Sequence, residues 1–136
     1  MQYLLDTHAF LWFINGDAQL SDNARTLIEN PINERYVSIA SFWEMAIKLK
    51  LGKLELDMSF KELYQEMDRN GFNLLPITVA HTEKTVALDL HHRDPFDRML
   101  ICQAMIDKLI IITADSQFHH YEVKQICKHN LLTLEG

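Results

Sequence analysis

The chemistry open to this chain lies in a few carboxylates and their neighbours. In His92-Arg93-Asp94-Pro95-Phe96-Asp97-Arg98 two acids stand just ahead of an apolar run over residues 99–106. Asp94 before Pro95 reads as a helix start, because Asp accepts backbone N–H groups that lack a helical partner and Pro suits the first helical position. Asp97 then falls in the first turn, on the same side as Asp94. An acidic first turn also complements the helix dipole, which is the ordinary reading of the pair. The chemical reading is that Asp97 points into an acidic, metal-binding pocket. Which holds depends on where the other acids fall.

Three of them end or follow apolar runs. Asp6 closes Tyr3-Leu4-Leu5, a short buried strand, and Asp115 follows Leu109-Ile110-Ile111-Ile112-Thr113-Ala114. That β-branched run is of the kind buried on both faces of a parallel sheet. Glu44 lies in Ser41-Phe42-Trp43-Glu44, which opens a helix after a strand over 35–39. Ser41 and Glu44 also match the capping box S-x-x-E, in which the Glu would serve only the helix end. The same pattern at Ser59 and Glu62 opens a helix to Asn70 and is read as capping.

Between these points the chain alternates. Helices are expected over 8–15, stopped by Gly16, over 21–30 with Ser21 as cap, and over 41–51, 59–70, 78–90 and 94–107. Strands are expected over 3–5, 35–39, 74–77, 109–113 and about 123–126, with Pro76 hinting that the third is an edge. Short strands alternating with helices give a parallel sheet covered on both faces, and right-handed crossovers make it doubly wound. Ligands in such folds bind beyond the carboxyl ends of the strands, where the strand order reverses. If the first and fourth strands are neighbours there, Asp6 and Asp115 lie side by side. Carboxylates gathered this way repel one another unless cations intervene. Hard oxygen donors without Cys or His point to Mg²⁺ or Mn²⁺, which suit in-line attack on a phosphodiester.

Composition permits this chemistry without demanding it. With 136 residues, 48% of them hydrophobic, the chain is expected to form one domain over 1–136 with a real core. A net charge of −6 argues against a protein that coats nucleic acid, but not against an enzyme whose cations invert the local sign. No run is long enough for a membrane helix, and the start lacks a basic signal-like region. Cys102 and Cys127 are too few for a disulfide framework, so a reduced, cytoplasmic setting is expected.

The chain resembles the PIN-domain family, in particular VapC-type toxins of bacterial toxin–antitoxin pairs. The matching segments are Leu4-Leu5-Asp6-Thr7-His8, Ser41 through Lys48, Gly52-Lys53-Leu54, His92 through Leu100 with Gln103-Ala104, and Ile112-Thr113-Ala114-Asp115. They span almost the whole chain in fitting order; Cys102, where a small residue is common, is a minor departure. The resemblance implies a PIN-like three-layer α/β/α sandwich with a central, mainly parallel sheet of about five strands. It also implies Mg²⁺- or Mn²⁺-dependent endoribonuclease activity that inhibits translation, and inhibition by a cognate antitoxin. Carried over by position, the acidic ligands are Asp6, Glu44, Asp97 and Asp115, with Thr113 as a supporting hydroxyl. Asp94 belongs to the D-P-F-D-R signature of a subgroup, where it caps the helix and at most supports the metal shell.

Arg98, Arg93 and Lys48, with Lys50 and Lys53, could form a positive rim that guides RNA phosphates. Glu44 and Lys48 are equally an ordinary i,i+4 pair. Phe10, Trp12, Phe13, Phe42 and Trp43 exceed what one small core needs, and a surplus patch would suit an antitoxin helix or a homodimer interface. The seven histidines lack zinc-type spacing. Two rivals remain: a catalytically silent PIN-fold binding module, and a phospho-acceptor domain. The second would want a further acid near Asp6, and residues 1–10 hold Asp6 alone.

Overall fold

The computed structural model describes residues 1–89, 94–113 and 125–127. Strand β1 (Gln2–Leu5) leads into α1 (Thr7–Asn15) and α2 (Asp22–Glu29), then β2 (Glu34–Ser38), α3 (Ile39–Lys50) and α4 (Phe60–Arg69). After β3 (Asn73–Leu75) come α5 (Val79–Ala87), α6 (Pro95–Asp107), β4 (Ile110–Thr113) and β5 (Gln125–Cys127). The five strands form one sheet in the order β3-β2-β1-β4-β5, and every neighbouring pair is parallel. In register, Leu5 stands beside Val37 on one side and Ile112 on the other. The chain winds outward from β1 in both directions, so the order reverses between β1 and β4. Their carboxyl ends therefore open on the crevice where such sheets bind ligands.

Alternation along the strands builds two cores. Tyr3, Leu5, Val37, Ile110 and Ile112 face Phe10, Ile28, Phe42, Met45, Leu63 and Met67 from α1 to α4. Leu4 and Ile111 face the other way, onto Leu100, Ile101 and Ala104 of α6 and Leu88 beyond α5. With both faces covered, a strand has no polar side, and β4 is buried at every residue. This is the three-layer α/β/α arrangement expected from the sequence.

Several boundaries move for physical reasons. The third strand ends at Leu75, before Pro76, which has no N–H to give the ladder. Among the described strands it pairs with β2 alone and is an edge of the sheet. The second strand runs straight into α3, and Ser38, not Ser41, is the N-cap, its Oγ accepting from Ala40 N at 3.0 Å. Ser41 thus becomes the third helical residue and Glu44 lies in the second turn, so the capping-box reading of that pair is overturned. At 59–62 the box reading stands in part: Ser59 Oγ accepts from Glu62 N at 3.1 Å. Helix α5 stops at Ala87, short of the expected residue 90. The Arg98 guanidinium donates to the carbonyls of Thr85, Leu88 and Asp89 at 3.1, 3.1 and 2.9 Å, closing that end.

Candidate active site

Asp6 follows the last residue of β1 and is the N-cap of α1, its Oδ1 accepting from Ala9 N at 2.7 Å. Its Oδ2 accepts from the Thr113 hydroxyl at 2.7 Å, a bond across 107 residues made possible because β1 and β4 are neighbours. The strand end, the cap and the cross-strand hydroxyl fix this carboxylate at the mouth of the crevice, where it is 3% exposed.

Glu44 is held as closely by different means. It is buried at 4% exposure although it lies on a helix, with Oε1 2.7 Å from Thr7 Oγ1 and Oε2 2.7 Å from Lys48 Nζ. Thr7 Oγ1 also lies 3.0 Å from Ser41 Oγ. One hydroxyl carries one proton, and a charged acceptor attracts it most strongly. Thr7 therefore donates to Glu44 and accepts from Ser41. Because Thr7 directly follows Asp6, the first turn of α1 grips both carboxylates, one by its cap and one by its hydroxyl.

Asp97 arrives from the opposite layer. Asp94 is the N-cap of α6, with Oδ1 accepting from Phe96 N at 2.8 Å and Asp97 N at 3.1 Å, and Pro95 holds the first helical position. This is the local start that the D-P pair dictates. Asp97 is half-buried in the first turn. Its neighbour Phe96 meets Trp43, the neighbour of Glu44, edge-on at 5.4 Å between ring centroids, which docks the start of α6 on α3.

Asp115 lies outside the described residues, as does Arg93. Among the described residues no three His, Cys, Asp or Glu side chains come close enough together to hold an ion. In type, however, the donors fit a hard divalent cation. Asp6 and Glu44 offer carboxylate oxygens supported by hydroxyls and a backbone N–H, and Asp97 adds a third carboxylate of the same hard-donor type. Buried carboxylates are costly unless paired, and Lys48 supplies the positive charge beside Glu44. A cavity of about 790 Å³ between α3, α5 and α6 is a separate feature, lined among the described residues by Ala40, Trp43, Ile77, Phe96, Arg98 and Met99 and by no acid.

The residues that sequence reasoning passed over are Thr7 and Ser41. The available signal was a hydroxyl directly after a strand-ending Asp, at the first position of a helix on the ligand-binding rim. Of the basic residues, Lys48 is paired with Glu44 and Arg98 serves the end of α5.

A model of the PIN domain family matches residues 3–124. Among solved structures, the chain resembles VapBC2 from Rickettsia felis bound to a DNA fragment from its promoter, with TM-score 0.62, 16% identity and coverage of 88% of this chain and 92% of that one. A toxin–antitoxin complex from Klebsiella pneumoniae matches with TM-score 0.57 and 22% identity, covering 85% of this chain and 89% of the other. VapBC-1 from nontypeable Haemophilus influenzae matches at 0.56 and 18%, covering 85% and 87%. At these identities the likeness is one of fold. No curated protein sequence matches the chain.

Proposed function

The chain belongs to the PIN-domain family, and on that premise we propose that it is a metal-dependent endoribonuclease, the toxin of a type II toxin–antitoxin pair. The observation that carries this reading is the pair of buried carboxylates, Asp6 and Glu44, braced at one crevice by Thr113 and Thr7. Burying two acids at the end of a sheet costs stability, and a purely structural role does not require it. Asp97 lies in the first turn of the helix docked beside Glu44 through Phe96 and Trp43, and the proposal adds it and Asp115 to the site.

In this reading Asp6, Glu44, Asp97 and Asp115 would hold Mg²⁺ or Mn²⁺. The ion supplies a water of lowered pKa and a Lewis acid for the phosphodiester. The chain's own residues set the geometry: Thr113 and the first turn of α1 orient Asp6, Thr7 orients Glu44, and the Asp94 cap fixes the start of the helix that bears Asp97. Arg98 gives three of its five N–H donors to protein carbonyls, so it serves the fold as well as any contact with RNA. Cleavage of cellular RNA halts translation in the cytoplasm until an antitoxin covers the site. Partner proteins in the toxin–antitoxin complexes of similar fold support that last element. Exposed Trp43, Ile39, Ile47 and Leu51 recur every fourth residue along α3 and would suit a homodimer contact.

The test is cleavage of total cellular RNA by purified, antitoxin-free protein with Mg²⁺, Mn²⁺ or EDTA, beside the Asp97→Asn variant. Discrete products that require the metal and vanish in the variant are expected. A folded protein that cleaves nothing under any of these conditions would instead be a silent PIN-fold binding module.

A further inference from the structure

Among the described residues Glu44 has two partners of opposite character, and the difference bears on how its site fills. Thr7 is buried at 4% exposure, sits at the first position of α1, and is locked by β-branching and by the Ser41 hydroxyl. Lys48 is one turn along α3, and its side chain is 38% exposed. Its ammonium can swing into water with little loss, as exposed ends of ion pairs do. The two partners bind different oxygens of the same carboxylate, Thr7 at Oε1 and Lys48 at Oε2.

We infer that Thr7 is the fixed positioning residue for Glu44, and that Lys48 is an exchangeable counter-charge which a divalent cation must displace. The inference rests on the reading of Glu44 as a metal ligand given above. Its physical basis is that a nearly enclosed carboxylate is costly to the fold unless a positive partner stands beside it. Lys48 is that partner, the one cation in contact with Glu44 among the described residues. A divalent ion brings more charge to the same carboxylate and so competes directly with the ammonium. Thr7 does not compete, because a hydroxyl donor on Oε1 aims the carboxylate without neutralising it. The two substitutions therefore act in opposite directions on metal affinity, which a shared loss of folding could not imitate.

The experiment is Mn²⁺ binding to the purified full chain, followed by electron paramagnetic resonance and calorimetry, together with the thermal midpoint in EDTA and in Mn²⁺. Lys48→Met is expected to bind Mn²⁺ more tightly by several-fold, to melt earlier than wild type in EDTA, and to regain the difference in Mn²⁺. Thr7→Val is expected to weaken binding on the order of tenfold, as loss of outer-sphere orienting contacts does, with Thr7→Ser restoring it. Unchanged or weaker binding in Lys48→Met would overturn the exchange, and Thr7→Ser behaving like Thr7→Val would overturn the positioning role. Glu44→Gln separates the two levels of argument. If it leaves Mn²⁺ affinity untouched, Glu44 is no ligand and the underlying reading fails; if it weakens binding while Lys48→Met does not strengthen it, only the exchange fails.

Discussion

Asp6 carries several tasks on one side chain, and that sets how it must be tested. It caps α1 through Ala9 N and accepts from Thr113, so truncation removes structure along with any chemistry. Asp6→Ala is expected to lose about 1 kcal/mol for the missing cap and a further 1 kcal/mol or so for the buried bond from Thr113. Asp6→Asn keeps both bonds in altered form: its carbonyl oxygen still caps, and its amide can donate to Thr113 Oγ1. Urea unfolding should place Asp6→Asn within about 0.5 kcal/mol of wild type and Asp6→Ala clearly below it, while metal-dependent cleavage disappears in both. Stability lost equally in the two variants would mean that the negative charge itself, not its hydrogen bonds, holds this corner. Thr113→Val makes the reciprocal cut. It removes one buried bond worth about 1 kcal/mol, and it should lower cleavage more than stability, as seen by comparing turnover with the urea midpoint.

At the scale of elements, the pair α5 and α6 depends on Arg98. Its guanidinium reaches three carbonyls in and just beyond the last turn of α5, a spread matched by a planar fork and not by a single ammonium. Arg98→Lys is thus expected to cost roughly 1–2 kcal/mol in a thermal or urea melt without RNA. An unchanged melt together with weaker RNA binding would return Arg98 to the substrate rim. Such a contact shows why only part of this molecule was legible in its sequence. The start of α6 could be read because Asp94 and Pro95 are adjacent and act locally. The acids at strand ends could be read because β-branched runs announce where strands stop. The start of α3 could not, since Ser38 and Ser41 are both competent caps and the choice was made by β2, which pairs with β1 through Val37. The length of α5 was equally hidden, being set by an arginine on the next helix. Thr7, 37 residues from Glu44 in sequence, is a partner that no local pattern could supply.

Across the whole molecule, winding the sheet outward from β1 buries titratable groups that a smaller fold would leave wet. Tyr3 is 4% exposed on β1, and Cys102 is fully buried on the inner face of α6. Burial raises the pKa of the Tyr3 phenol and of the Cys102 thiol, and burial followed by the hydrogen bond to Glu34 raises that of Tyr36. Each group holds its proton in the folded chain at a pH where the unfolded chain has released it. The folded state then binds more protons, and stability falls as pH rises. Below the unfolded thiol value of about 8.5 this contribution is fully present. It declines first as the thiol ionises in the unfolded chain, then more steeply as the phenols do near pH 10. The chain already carries −6 at neutral pH, so each new negative charge adds to its self-repulsion. Urea midpoints measured from pH 7 to 10.5 should therefore hold level to about pH 8 and fall beyond it. Cys102→Ala, less stable at every pH through the small cavity it leaves, should nonetheless begin its alkaline decline later, in the phenol range. An onset that does not move in this variant would place the early limb on other groups and leave the buried thiol without a part in it.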